Sequence, residues 1–311
     1  MSILVTGSLA YDTIMDFPGR FRDHILPDQI HVLNTCFLVD GIVKNFGGCA
    51  GNIAYTMRML GADPIVLSVL GSDGDTYSDY LEKQGIVTRY IYREASALSS
   101  QATIITDKDD NQITAYHNGA SDAASDLSIG DMDQSFDFAI IAPTKKTAMI
   151  KYASECAARK TPFVFDPGQQ LGGFEKDELR KMLSLCSFFI VNDYELKVTE
   201  QKTEYSARML CAMIDTVIIT RGASGSRIIT RRGAEHIEIV PCKPQEVRDP
   251  TGAGDAYRAG FFSAYAAGKD LAVCGQVGSV AAAYAIERYG TQNHIFSIKD
   301  FEQRYGTNYA S

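Results

Sequence analysis

The sequence predicts an α/β fold, a central mostly parallel sheet flanked by helices with a small β lid. Three observations carry this. Short apolar runs end in Gly, Pro, Asn, Asp or Thr, as strands buried on both faces do. Helical stretches fall between them, which reads as βαβ winding. Two further β-rich segments break that rhythm and belong to neither pattern.

The strand runs are Ile3–Val5, Ile65–Leu70, Phe138–Ala142, Phe163–Phe165, Phe188–Val191 and Val217–Thr220. Between them lie helical stretches at Ala50–Leu60, Asp75–Gln84, Lys146–Arg159, Lys176–Cys186 and Ser206–Met213. From Ala253 the chain reads as helical, over Gly254–Ala267, Leu271–Arg288 and a short piece near Ile298–Gln303. The first odd segment, His31–Asp40, follows the turn-forming Leu26-Pro27-Asp28. The second pairs Gln101–Thr106 with Gln112–His117 across the hairpin signal at Lys108–Asn111. Both are expected on a lid drawn from about residues 15–46 and 98–120 of one domain spanning 1–311.

The 311 residues are 45% hydrophobic and 22% charged, enough apolar material for a sizeable core. Net charge is −8 and no block of like charges stands out, which argues against a nucleic-acid partner. No run approaches the roughly 18 apolar residues of a membrane helix, so no membrane partner is expected. Met1-Ser-Ile-Leu-Val reads as a strand rather than a leader. Seven scattered cysteines without a C-x-x-C read as reduced thiols of a cytoplasmic protein.

The strongest local signal is Arg248-Asp-Pro-Thr-Gly-Ala-Gly-Asp255. Gly252, Ala253 and Gly254 sit where a helix begins, and its bare N–H groups and dipole make an anion site. Asp255 lies in the first turn, placed to accept a proton from a hydroxyl attacking phosphorus. A glycine-rich turn with an acid in the first helical turn is also an ordinary cap. Gly47-Gly48, with Asn52 beyond it, is a second element; the glycines admit close approach and Asn52 offers donor and acceptor to a diol. Asn192 and Glu195 follow a strand, three residues apart, able to address one hydrated Mg²⁺ or to cap a helix. Thr220, Gly222 and Gly225 form a glycine-containing turn after another strand, open to phosphates or a ribose. Asp12 follows the first strand and is placed to bind paired sugar hydroxyls. No P-loop and no Rossmann glycine fingerprint occurs.

Taken together and in this order, the motifs resemble the PfkB (ribokinase-like) family of carbohydrate and nucleoside kinases, over nearly the whole chain. The resemblance implies a ribokinase-like three-layer fold. It implies Asp255 as base, Gly252, Ala253 and Gly254 as anion hole, and Asp12, Gly48 and Asn52 on the sugar. Asn192 and Glu195 would organise Mg²⁺ and phosphates, and Thr220, Gly222 and Gly225 would line the ATP site. ATP and Mg²⁺ are the implied cofactors, with K⁺ as an optional ion; Pro250 stands where many members have Thr.

Within the family, Gly19–His31, Phe37-Leu-Val39 and Asp166-Pro-Gly-Gln169 resemble the bacterial adenosine and nucleoside kinase branch. That implies a nucleoside and ATP as small-molecule partners, in a monomer or homodimer. A nucleobase needs apolar surface that a free sugar does not. Cys36, Phe37 and Leu38 on a lid strand, with Pro143 and Gln169 opposite, are the candidates. The alternatives are a sugar kinase such as ribokinase, or a non-catalytic nucleotide sensor on the same fold.

Overall fold

The computed structural model describes residues 1–26, 34–109, 111–231 and 235–309. Its first strand, β1 (Ile3–Thr6), is buried along its whole length because helices cover both faces of its sheet and strands flank it on either side. β2 (Ala10–Asp16) leaves the body at once and pairs antiparallel with β3 (Gly41–Gly47). The body resumes with β4 (Ile65–Gly71) and β5 (Ile91–Glu94), and the lid with β6 (Ser100–Thr106) and β7 (Gln112–His117). Then come β8 (Phe138–Ile141), β9 (Phe163–Phe165), β10 (Phe188–Asn192), β11 (Thr216–Thr220), β12 (Ser226–Thr230) and β13 (His236–Ile239).

The body sheet has nine strands among the described residues, ordered β13-β12-β11-β10-β9-β8-β1-β4-β5. Neighbours from β5 to β11 are parallel, and β12 and β13 are added antiparallel. The chain adds β4 and β5 on one side of β1 and β8 to β11 on the other. At such a reversal the connections diverge and leave a crevice at the strands' C-terminal ends.

Among the described residues the helices are α1 (Cys49–Met59), α2 (Asp75–Lys83), α3 (Lys146–Ala158), α4 (Lys176–Leu185), α5 (Asp193–Thr203), α6 (Ala207–Met213), α7 (Ala253–Ala266), α8 (Leu271–Ile286) and α9 (Ile298–Tyr309). Strand side chains alternate faces, so each run feeds two cores. Val5, Ile140, Ile190 and Ile218 pack under α1, α2, α7 and α8; Leu4, Ile141, Val191 and Ile219 pack under α3, α4 and α6. No described helix is long and apolar enough to cross a membrane.

The lid is a separate four-stranded sheet, ordered β3-β2-β6-β7. Asp107 anchors its hairpin end, accepting the N–H groups of Phe21 at 2.8 Å and of Asp109 and Asn111 at 2.9 Å. Burial would raise that carboxyl, yet these donors hold it at about 2. The hairpin strands match expectation, with Thr106 opposite Gln112; Asp110 in the turn lies outside the described residues.

The other lid expectation is corrected. Of His31–Asp40, residues 31–33 lie outside the described set, and 34–39 have no regular structure and so form no strand. Of the expected turn at Leu26–Asp28, Pro27 and Asp28 also lie outside it. The strand is β3, whose seven residues pair one for one with β2. A lid strand has a solvated face and needs no apolar run, so Gly-Ile-Val-Lys-Asn-Phe-Gly passes unnoticed in a search for buried strands.

Candidate active site

The anion loop is built as a turn that only glycine completes. Gly252 caps α7 in the left-handed region at φ +78°, and a side chain there would strike Thr291. Asp249 is buried beneath the loop and accepts the N–H of Thr251 at 2.9 Å and of Gly290 at 3.0 Å. Those bonds hold the approach to the helix. Among the described residues the N–H groups of Gly252 and Gly254 have no backbone acceptor, whereas Ala253 N–H turns to the Pro250 carbonyl at 3.3 Å. Two free donors beside a helix N-terminus suffice for an anion site.

Asp255 stands in the first turn, partly accessible from the cleft. Its Oδ2 accepts from Asn52 Nδ2 at 2.8 Å. Burial pushes its carboxyl above the ordinary range, against the pull of Arg258 and Asn52. That is the direction a general base needs, since a carboxylate at its ordinary value is a weak proton acceptor near neutrality. Arg258, one turn further and buried, pairs with Asp166 at the end of β9, with Nη2–Oδ1 at 2.6 Å and Nε–Oδ2 at 2.5 Å. Burial still pushes Asp166 up to about 6. Cys49 opens α1 beside these carboxylates; burial raises its thiol well above normal, so it stays protonated.

These groups line a cleft of about 380 Å³, together with Pro143, Gly168, Gln169, Asn192, Glu195, Thr220, Gly222, Gly252 and Gly254. Pro143, Asp166, Asn192 and Thr220 all come from C-terminal ends of parallel body strands, as the topology requires.

Residues 10–297 match the model of the pfkB family carbohydrate kinases. The chain belongs to this family. A nucleoside kinase of Methanocaldococcus jannaschii is 32% identical over 264 residues, covering 84% of this chain and 86% of that one. The solved structure of a Burkholderia thailandensis nucleoside kinase in complex with inosine superposes with a TM-score of 0.91 at 36% identity, covering 100% of this chain and 99% of that one. The same enzyme in complex with ADP-inosine gives 0.88 at 38%, covering 100% and 97%.

Against this family frame, the residues singled out from sequence fall into three groups. Asp255, the anion loop, Asn192, Glu195, Thr220, Gly222 and Gln169 converge on one cleft. Asn192 and Glu195 form a reciprocal cap on α5, each accepting the other's backbone N–H at 2.8 Å. The cap leaves Glu195 Oε1 outside these two bonds. Among the described residues no three His, Cys, Asp or Glu side chains converge on a metal, so this pair fits an ion held mostly by phosphates and water.

Asp12, Gly48 and Asn52 are placed differently from expectation, and none of them lines that cleft. Asp12 is not a loop acid but the third residue of lid strand β2; burial, then Asp255 and Asp249, push it up to about 6. Side chains at Gly47 and Gly48 would collide with the Asp12 carboxylate and with the Ser8–Ala10 backbone, so these glycines make room for the chain itself. Asn52 is only 4% exposed and spends its amide on Asp255, Thr291 and Gln292, leaving one N–H outside these bonds.

Gly225 and Phe37 lie elsewhere. A side chain on Gly225 would meet the Ile239 carbonyl and Pro241, so its glycine serves a strand crossing rather than the cleft. Phe37 packs on Phe17 and Phe21 at ring separations of 4.9 and 5.1 Å, beyond the far end of β2, while Cys36 is exposed and Leu38 is 81% exposed. Sequence reasoning missed Arg258, Asp166 as its partner, Thr291 and Gln292. Arg258 carried a signal, being a charge inside an apolar helical run one turn after Asp255.

Proposed function

We propose that this chain is an ATP-dependent kinase that phosphorylates the 5′-hydroxyl of a ribonucleoside, adenosine first, and so serves purine salvage. The observation that carries the chemistry is Asp255, raised by burial, one turn inside the helix whose Gly252 and Gly254 N–H groups are uncommitted. The substrate hydroxyl loses its proton to Asp255 as its oxygen attacks the γ-phosphorus. The bond from that phosphorus to the β–γ bridging oxygen breaks, ADP departs, and Asp255 returns its proton to solvent. The anion loop faces the charge growing on the transferred group.

Asp12 and the remaining Asn52 N–H would hold the ribose hydroxyls, and Gln169 and Pro143 would face the base. Asn192 and Glu195 would hold Mg²⁺ through water, which when bound neutralises phosphate charge. The nucleoside reading is supported by the Burkholderia and Methanocaldococcus relatives, the former solved with a purine nucleoside. A cytoplasmic enzyme, monomeric or dimeric, with optional K⁺ stimulation completes the proposal.

The test is a panel of adenosine, inosine, guanosine, cytidine, ribose and fructose 6-phosphate with ATP and Mg²⁺, in K⁺ and in Na⁺. A buried base adds roughly 1.5–3 kcal/mol, so adenosine should exceed ribose in kcat/KM by at least about tenfold. Ribose or the sugar phosphate outrunning every nucleoside overturns the reading in favour of a sugar kinase. Binding without turnover would favour the sensor.

A further inference from the structure

Asn52 is a buried amide with partners of opposite kind on its two sides. Its Nδ2 donates to Asp255 Oδ2 at 2.8 Å, and its Oδ1 accepts from Thr291 Oγ1 at 2.8 Å and Gln292 Nε2 at 3.0 Å. The two ends of a carboxamide have nearly the same shape, so only such partners decide which way it points. Turned over, Asn52 would set its oxygen against the Asp255 carboxylate and its N–H groups against the Gln292 amide N–H, with the Thr291 hydroxyl left to accept and to give its proton to Phe46 alone.

The two donors are also tied to the lid. The Thr291 hydroxyl has one proton and two acceptors, Asn52 Oδ1 and the Phe46 carbonyl at 3.2 Å. Gln292 Nε2 also donates to Tyr77 Oη at 2.6 Å, and Tyr77 passes its own proton to the Gly47 carbonyl at 2.7 Å. Phe46 and Gly47 are the last two residues of β3, where the lid rejoins the body. Gln292 Oε1 is buried without a donor among the described residues, so this side chain is kept for what its nitrogen gives. Neither Thr291 nor Gln292 lines the cleft.

We propose that Thr291 and Gln292 are positioning residues for the base: they hold the Asn52 amide with its nitrogen toward Asp255 and couple that orientation to the lid hinge at Phe46–Gly47. The proposal rests on the reading of Asp255 as the base of a nucleoside kinase. Asp255 is otherwise faced by Asp12 from β2, Asp166 at the end of β9, Cys49 from α1 and Arg258 from its own helix, and Asp12 in turn by Asp249. Thr291→Val and Thr291→Ser leave the charges of these groups as they are, whereas Gln292→Glu adds a carboxylate beside Asn52.

Thr291→Val is close to isosteric, preserves the methyl packed against Gly252 and deletes only the hydroxyl. Thr291→Ser restores the hydroxyl, and Gln292→Glu replaces a donor by an acceptor. The expected result is a fall in kcat of about tenfold or more for Gln292→Glu, a smaller fall for Thr291→Val, and near-normal turnover for Thr291→Ser. The acid limb of the kcat profile should move to higher pH in both Gln292→Glu and Thr291→Val, because an ionised Asp255 loses its donor. In Gln292→Glu the added carboxylate pushes the same way, so Thr291→Val is the deciding variant. Unchanged kcat and acid limb in Thr291→Val and Gln292→Glu, with only melting temperature altered, overturn the proposal. If Gln292→Glu does not fold, the Val and Ser pair decides it alone. Titration of the Asp255 carboxyl by carbon NMR in Thr291→Val reads the same shift without substrate. A wild-type protein inactive on every nucleoside would therefore sink the functional reading while leaving this one decided.

Discussion

Asp255 lines the cleft from a body helix and Asp12 stands within reach of its charge on a lid strand, and their supports differ. α7 is buried at every position from Ala256 to Phe262, and its Arg258 is locked to Asp166. β7, at the lid's edge, is exposed along its whole length. Asp12 is held there by register: Asn45, Asp12, Ala102 and Tyr116 stand opposite one another across four strands and so share a face. The body half of the site is therefore preorganised by burial, whereas the lid half depends on strand pairing in a small sheet with an exposed edge. The difference teaches that burial fixes a side chain on the body helix, whereas on the lid strand register alone fixes it.

The largest effect should come from the body. Asp255→Asn should bind nucleoside and ATP while kcat falls by roughly 10²–10⁴, as loss of a general base does. Near-normal kcat, measured with a binding titration on the same protein, would sink the assignment and erase the contrast between the two carboxylates.

The second concerns the rigidity of the body. His294 is 1% exposed, and burial pushes it down to about 4. The unfolded chain takes up that proton below about pH 6.5, so it binds more protons than the folded one between about 6.5 and 4. Stability present in full above that window falls through it, by roughly 3 kcal/mol at its foot. His294→Gln should flatten the slope. Urea unfolding across the window checks this, and an unchanged slope would show that other groups set acid stability.

Glu195→Gln is smaller and more selective. Gln is accepted at the third position of a capping box, so α5 should survive while the charge is lost. The Mg²⁺ concentration for half-maximal rate should rise about tenfold, more than the adenosine KM. Unchanged metal dependence would reduce the pair to a helix cap.

The smallest effect tests the lid. Phe37→Ala removes aromatic contacts with Phe17 and Phe21, each worth about 0.5–1.5 kcal/mol. It should leave kcat near wild type and speed amide exchange in β2 and β3. Nucleoside binding should slow exchange in β2, β6 and β7 of the wild type; equal protection with and without ligand would contradict a closing lid.

What the sequence determined by itself was local. Each apolar run from Ile3 to Thr220 lies in a body strand, because a strand buried on both faces must be apolar throughout. The anion loop and its acid were legible because a helix N-terminus needs its glycines and first-turn acid adjacent in the chain. The tertiary structure alone decided the rest. Asn52 meets Asp255 across 203 positions and Thr291 across 239, and no spacing rule reaches that far. The lid register placed Asp12 on a strand and left Phe37 in an aromatic cluster, because a half-solvated strand is set by its partners rather than by its own apolar content. Whether Asn52 serves a sugar or the base is likewise decided by what surrounds its two ends, since a buried amide points wherever its hydrogen bonds are met.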